Sequence, residues 1–232
     1  MKKRLQSAFT LIELLVVITI IAILAGIALP VFSGIQERGQ QTKALSQAKQ
    51  IGVALKLYAS DFDGLLPGDG EIDPATGEVV DNIATSDDAF AMLIDSYVPT
   101  QELFYVALSD WSTVKPTDDF DSDGALNERL PPGINHFAYV KGLTENNNPR
   151  LPLLADGFAS GSVGTWATEG KGGVWKGKKA IVVRLDQSGS IENIFGGENP
   201  KMADETIAGD EGNIFEDEVL PDGAEAINPA GE

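Results

Sequence analysis

One acid, Glu13, stands alone inside an otherwise apolar run that extends from Ala8 to Pro30. A carboxylate held at the middle of a bilayer costs about 2.5–3.5 kcal/mol on insertion scales, so an acid in such a place indicates a specific partner. The expected partner is a positive charge that arrives when several copies of the chain assemble. We therefore predict that Glu13 acts in assembly between chains and not in catalysis.

A second candidate site is the acidic string between Asp118 and Leu130. Alternating carboxylates followed by a glycine, here Gly124, are typical of the first half of a calcium-binding loop. The spacing predicts a weak Ca²⁺ site built from Asp119, Asp121, Asp123, the Ala125 carbonyl, Asn127 and Glu128, with Asp118 as a further candidate. Leu130 stands where an EF-hand has its bidentate glutamate, so the string is not an EF-hand, and a solvated acidic turn is the alternative.

Catalytic motifs are absent from the sequence, which has no nucleophile elbow, no HExxH and no P-loop. The single histidine, His136, lies in a strand-like apolar run and is expected to pack in the core. Trp111, Trp166 and Trp175 could line a sugar-binding face, but their separate glycine-rich surroundings favour packing roles. We predict that the chain is not an enzyme and that Ca²⁺ is its one candidate cofactor.

Composition excludes several classes of protein. The chain has no cysteine, which rules out disulfides, thiolate metal sites and cysteine nucleophiles. Its 35 acids outweigh 17 bases, and three of those bases, Lys2, Lys3 and Arg4, stand before the apolar run. Such a charge repels phosphate backbones, so no nucleic-acid partner is expected. This excess of acids could bind a divalent cation, or it could simply keep the domain soluble.

The order of the basic leader and the apolar run predicts a single membrane pass. Twenty or so helical residues span the hydrocarbon core, and the leading bases keep the N-terminus in the cytoplasm. Two alternatives stay open. One is a secretory signal peptide cleaved after Ala28, although the run exceeds the usual core of about 7–15 residues. The other is a plain uncleaved anchor, which leaves Glu13 without a role.

The string from Ala8 to Glu13, Ala-Phe-Thr-Leu-Ile-Glu, resembles the processing site of type IV pilins and of type II secretion pseudopilins. The resemblance covers roughly residues 1–62. It implies that a prepilin peptidase cuts between Ala8 and Phe9 and methylates the new amine on Phe9. Ala8 departs from the family, which usually has glycine there, but alanine is also small.

The resemblance also implies a function and partners. The chain would be a bacterial inner-membrane protein with a periplasmic C-terminal domain, which polymerises into a pseudopilus or a surface pilus. Its partners would be its own copies, prepilin peptidase, an inner-membrane assembly platform and other minor pilins or pseudopilins. The amine on Phe9 would pair with Glu13 of the same or a neighbouring subunit. We favour the secretion pseudopilin, and the alternative is a single-pass anchored binding domain that never polymerises.

A long helix is expected from Thr10 to about Ser60. Pro30 lacks an N–H and crowds the carbonyl of Gly26, which predicts either a kink or, by resemblance, a stretch that unwinds in the filament. Beyond Pro30 the apolar residues follow a spacing of three and four, so this half should pack on a globular domain. The apolar stripe consists of Ile35, Leu45, Ala48, Ile51, Leu55, Tyr58 and Phe62.

The expected fold class is α+β, with the long helix packed on a small antiparallel sheet. Residues 65–84 are predicted to form a loop, and Thr85 should cap a short helix that ends before Pro99. Strands are predicted at 103–107, 134–140, 151–155, 180–186 and 190–195. The predicted organisation is a cleaved leader (1–8), a transmembrane helix (9–32), its amphipathic continuation (33–62), a β-rich domain (63–195) and an acidic, flexible tail (196–232).

Overall fold

The structure is a computed structural model that describes residues 10–117, 130–195, 213–216 and 218–231, without the side chains of residues 28–33. The cleavage-site residues Ala8 and Phe9 therefore lie outside the described residues. So does the predicted calcium loop, with Asp119, Asp121, Asp123, Ala125, Asn127 and Glu128. The chain divides into two compact units, Met1–Gln40 and Gln41–Glu232.

The first helix, α1, spans Leu11–Asp61 and confirms the predicted long helix. Its backbone is helical through both Gly26 and Pro30, and the kink or unwinding stays a prediction. In the first unit the large apolar side chains from Leu11 to Ile27 are 46% to 86% exposed. Among the described residues, no helix combines the length and the apolar character that crossing a membrane requires.

Within the second unit, α1 buries one side in the core of the domain. Ala48, Ile51, Leu55 and Tyr58 of the predicted stripe are buried, and Ala44 is buried with them. The prediction is wrong for Ile35, which is 61% exposed. Gly52 marks a close approach between α1 and the sheet, because a Cβ there would lie 3.1 Å from Cγ1 of Val183. A larger residue at this position would push the helix away from the sheet.

The described part of the domain contains two antiparallel sheets and a short helix. A two-stranded hairpin is formed by β1 (Glu71–Ile72) and β2 (Val79–Val80). The helix α2 (Ser86–Ala91) follows, and then come β3 (Phe137–Lys141), β4 (Pro152–Asp156), β5 (Lys179–Arg184), β6 (Gly189–Asn193) and β7 (Glu225–Ile227). The larger sheet has the strand order β6-β5-β4-β3-β7. The predicted α+β class is confirmed.

Local hydrogen bonds explain where the predicted elements succeed and fail. Thr85 caps α2 in a reciprocal capping box with Asp88, as its sequence position predicts. The strand predicted at 103–107 is wrong, because Gln101–Phe104 forms a 3-10 helix. The Thr100 side chain accepts a hydrogen bond from the backbone of Glu102, which starts this helix instead of a strand.

Two regions predicted to be irregular contribute strands. The loop predicted at 65–84 contains the β1–β2 hairpin. The described part of the predicted flexible tail joins the domain, because β7 pairs with β3 and both Ile214 and Phe215 are buried. Phe215 packs against Phe158 with ring centroids 4.9 Å apart. The apolar residues of this acidic segment thus outweigh its charge in deciding its structure.

Candidate assembly site

The N-terminus of α1 holds the carboxylate of Glu13 in a defined position. The backbone N–H and the hydroxyl of Thr10 both donate to Oε2 of Glu13, at 2.9 and 2.7 Å. In return the backbone N–H of Glu13 donates to the Thr10 hydroxyl at 3.3 Å. This reciprocal arrangement is a capping box, which satisfies N–H groups that the first turn of a helix leaves without acceptors.

No basic side chain of its own segment can neutralise Glu13. The sequence contains no lysine, arginine or histidine between Arg4 and Arg38. The side chains that follow Glu13 on α1 are apolar and exposed as far as Ile27. The bases nearest to this carboxylate in the sequence are those of the leader, Lys2, Lys3 and Arg4.

The structure places the remaining predicted site residues as follows. Gly26 lies within α1, and a Cβ added there would have no neighbouring atom within 4 Å, so its surface is open. Pro30 lies in the same helix, four residues later. In the part of the chain that is described, no group of three or more His, Asp or Glu side chains could hold a metal ion. The calcium site therefore stays a prediction about residues outside this part.

A buried polar network centred on Asp156 occupies the core of the domain. Its carboxylate accepts three hydrogen bonds: from Nε2 of His136 at 2.8 Å, from Nε1 of Trp175 at 2.7 Å and from the backbone N–H of Ile181 at 2.7 Å. Asp156 and His136 are completely buried. Buried polar groups are stable only when they are hydrogen-bonded in this way, so the network fixes the ends of β4 and β5 relative to each other.

Ser109 extends this network into an arrangement that resembles a catalytic triad. Its Oγ lies 2.6 Å from Nδ1 of His136. Because a carboxylate only accepts hydrogen bonds, Nε2 of His136 donates to Asp156. In the neutral imidazole, Nδ1 then accepts from the Ser109 hydroxyl. However, Ser109 is also buried, and its Oγ accepts from the backbone of Trp111 at 3.1 Å. This burial favours a packing role, in agreement with the predicted role of His136.

A second buried acid, Asp87, connects α2 to the C-terminal segment. Its Oδ1 accepts from the side-chain amide of Asn135 at 2.8 Å, and its carboxyl accepts from the backbone N–H of Ala230. Burial raises the pKa of Asp87 to about 7, although these hydrogen bonds oppose the rise. The backbone N–H of Ser86 also donates to the carbonyl of Asn228 at 2.8 Å, so the two segments are tied at two points.

Sequence reasoning missed the polar partners in these sites for different reasons. The pattern Thr10-x-x-Glu13 matches a capping box and could have been recognised directly. The partners of Asp156 are far apart in the sequence, and no local pattern relates them.

Comparison with known proteins gives matches at the N-terminus. A family profile described as "Prokaryotic N-terminal methylation motif" matches residues 3–29. Type II secretion system core protein G of Aeromonas hydrophila is 44% identical over 61 residues, which are 26% of this chain and 43% of that protein. Fimbrial protein EcpC of Eikenella corrodens is 39% identical over 90 residues, covering 37% and 58%. Type IV major fimbrial protein FimA of Dichelobacter nodosus is 40% identical over 77 residues, covering 33% and 45%.

These matches span about half the length of the curated relatives. No solved structure gives a significant match to the chain. The resemblance to type IV pilins and pseudopilins is therefore confirmed for the N-terminal part of the chain, which carries the methylation motif.

Proposed function

We propose that this chain is the precursor of a pilin-like structural subunit, which is cleaved between Ala8 and Phe9 and polymerises through its N-terminal helix. The observation that carries this proposal is the position of Glu13, a lone carboxylate at the start of an uncovered apolar helix, inside a matched methylation motif. Cleavage by a prepilin peptidase would create a cationic amine on Phe9, four residues before Glu13.

The apolar surface of α1 supports insertion and assembly. Its side chains between Leu11 and Ile27 are exposed, and contiguous apolar surface of this kind requires a membrane or a protein partner. In the proposal this segment lies in the inner membrane before assembly and against neighbouring copies afterwards. The leading bases Lys2, Lys3 and Arg4 would remain cytoplasmic, and the domain would face the periplasm.

Charge pairing would set the register of the copies. The capping box holds the Glu13 carboxylate at the first turn of α1. The new amine would form on Phe9, four residues earlier in the sequence. An unpaired charge in an apolar environment is costly, and removal of one partner from a buried pair costs about 3–5 kcal/mol. An amine of one subunit that reaches Glu13 of the next would thus favour one stagger over all others.

The relatives include both a secretion protein and fimbrial proteins, so they support a filament subunit without choosing between a pseudopilus and a surface pilus. We favour the secretion pseudopilus because the chain has no cysteine to close a C-terminal loop. An inner-membrane assembly platform and other minor pilins or pseudopilins complete the proposed set of partners.

Mass spectrometry of the N-terminus of the protein isolated from membranes tests this proposal. We expect a methylated N-terminal Phe9 when prepilin peptidase is present, and the intact leader when it is absent. A chain that keeps Met1 beside an active peptidase would support the anchored, non-polymerising binding domain. A chain that starts at Leu29 would indicate ordinary secretion, and either result would overturn the proposal.

A further inference from the structure

A lysine loop, Gly170–Lys179, breaks the acidic character of the domain. It contains four lysines, Lys171, Lys176, Lys178 and Lys179, and no acid. Lys176 and Lys178 are exposed and Lys179 is partly exposed. Within the described residues, neither Lys178 nor Lys179 forms an ion pair. The loop is thus a concentrated positive surface on a strongly negative protein.

The lysine loop is held in place by the core. The Trp175 side chain in its middle is 2% exposed and donates to Asp156 at 2.7 Å. Lys171 lies 4.3 Å above the ring of Trp111 and donates to the carbonyl of Gly231. Lys176 has a left-handed backbone with φ of 59°, which is unfavourable for a residue with a side chain. Such a fixed loop loses little conformational entropy when it binds a partner.

A complementary negative surface lies elsewhere on the same domain. Between Lys56 and Lys115 the sequence has twelve acids and no lysine, arginine or histidine. The hairpin β1–β2 lies in this stretch, and Glu78 and Asp81 on it are exposed. Within the described part of the chain, neither of these two acids pairs with a base.

The topology places the two surfaces at opposite ends of the large sheet. The lysine loop leads into the start of β5, where Ile181 bonds to Asp156 at the end of β4. Asp156 in turn lies opposite Phe137, at the start of β3. The hairpin is fixed at the other end of β3, where Lys141 contacts Asp69 at 3.1 Å. Asp69 in turn accepts from the backbone of Ile83, just beyond β2.

We propose that the lysine loop of one copy contacts the exposed acids Glu78 and Asp81 on the β1–β2 hairpin of the next copy. This proposal rests on the proposed function, because it describes how the domains meet in a filament. A contact between different surfaces at opposite ends is heterologous, and such contacts build open helical polymers when the rotation does not close a ring. The charge complementarity also selects against contacts between two acidic faces.

Cross-linking in the full-length chain tests the contact directly, because the protein has no native cysteine. Two single-cysteine variants, K178C and D81C, are co-expressed and treated with a short bis-maleimide in membranes and in isolated filaments. We expect a dimer band only when both variants are present and filaments form. The matched control replaces D81C with S96C, which is also exposed but lies outside the hairpin.

A charge swap gives an independent test. We expect the double variant K178E/K179E to reduce filament yield about three- to tenfold. Loss of each exposed ion pair with Glu78 or Asp81 weakens the contact modestly, and the new glutamates add repulsion between the copies. Adding E78K and D81K to the same chain should restore the yield, because each copy then presents the reversed charges. The double variant K49E/K115E, which reverses two exposed lysines outside the loop, is the control for the same change in net charge.

The outcomes separate this inference from the proposed function. Filaments built from K178C and D81C chains that give no cross-link would overturn the inference alone. So would a loss of filaments in K178E/K179E that E78K/D81K does not restore. If the loop variants lose only binding to added nucleic acid or anionic vesicles while filaments are unchanged, the inference is also wrong. If the processed wild-type chain forms no filament at all, both the function and the inference fail.

Discussion

The hydroxyl of Thr10 lies 2.7 Å from Oε2 of Glu13 and donates to it. The carboxylate therefore has a partner in its own chain before any assembly partner reaches it. Of its two oxygens, only Oε2 accepts from Thr10, so Oε1 is the oxygen at which a neighbouring amine would find a less occupied acceptor. Substitution of either Thr10 or Glu13 should therefore affect assembly.

Replacement of Glu13 by alanine should leave membrane insertion and processing intact but prevent filament formation. The reason is that the amine of Phe9 then lacks its partner in an apolar environment. Fractionation of membranes and electron microscopy of filaments measure the two properties separately. Glu13→Asp, which keeps the charge on a shorter side chain, serves as the control and should assemble partially. Normal filaments from the alanine variant would refute the role of Glu13.

Replacement of Thr10 by valine should weaken assembly without abolishing it. Valine keeps the shape but removes the hydroxyl, and loss of such a cap costs about 1 kcal/mol of helix stability. The Glu13 carboxylate would then be less well positioned for an incoming amine. Quantification of filaments relative to Thr10→Ser, which keeps the hydroxyl, is the measurement. Equal yields from both variants would show that the capping box has no part in assembly.

Replacement of Asp156 by alanine should destabilise the domain strongly. It leaves His136, Trp175 and the backbone of Ile181 without their acceptor, at about 1–3 kcal/mol for each buried donor. Thermal unfolding of the detergent-solubilised full chain measures this loss, with the exposed Asp110→Ala as control. An esterase activity that Ser109→Ala removes, with the fold intact, would contradict the structural role of this network.

The stability of the domain should decrease as the pH rises from about 4 towards 7 through the ionisation of Asp87. The folded protein holds this proton more tightly than the unfolded chain, because burial raises the pKa of Asp87 from 3.8 to about 7. The stabilisation from protonated Asp87 is complete below the pKa that this group has in the unfolded chain. It is lost as the pH passes the pKa of Asp87 in the folded protein. Melting temperatures across this range should show a smaller decrease in Asp87→Asn.

Asp110 provides the control for the pH experiment. It is exposed and lies outside α2, so Asp110→Asn should leave the fall in melting temperature with rising pH as it is in the wild-type protein. An unchanged pH profile in Asp87→Asn would show that other groups cause the decrease.

Calcium should raise the melting temperature if the string from Asp119 to Glu128 binds it as its spacing predicts. Extracellular modules of this kind bind weakly, so the titration must extend to about millimolar concentrations. The double variant D121N/D123N should remove the effect, whereas magnesium should not replace calcium. No shift at saturating calcium would mean that the string is only a solvated turn.

Sequence patterns predicted the elements whose signals are local. The three-and-four spacing from Leu45 to Phe62 predicted the packed half of α1, and Thr85 predicted the start of α2. The strand predicted at 103–107 failed because apolar composition alone does not distinguish a strand from a short 3-10 helix. Phe104 is buried in either case, and here it stacks on Phe90 with centroids 5.3 Å apart.

Features that depend on distant partners could not be predicted. The acidic C-terminal residues suggested disorder, yet β7 forms with only Ala226 and Ile227 buried while Glu225 stays exposed. The network around Asp156 joins residues from four separate segments. Its members match no spacing rule, because the fold and not the sequence order brings them together.

The burial of all three tryptophans has a practical consequence for spectroscopy. Trp111, Trp166 and Trp175 lie in the domain, and α1 contains none. Intrinsic fluorescence of this protein therefore reports on the domain interior alone. A red shift of the tryptophan emission therefore indicates that the domain has unfolded. Association of the N-terminal helices does not change this emission, so unfolding can be measured in a sample whether or not the helices have associated.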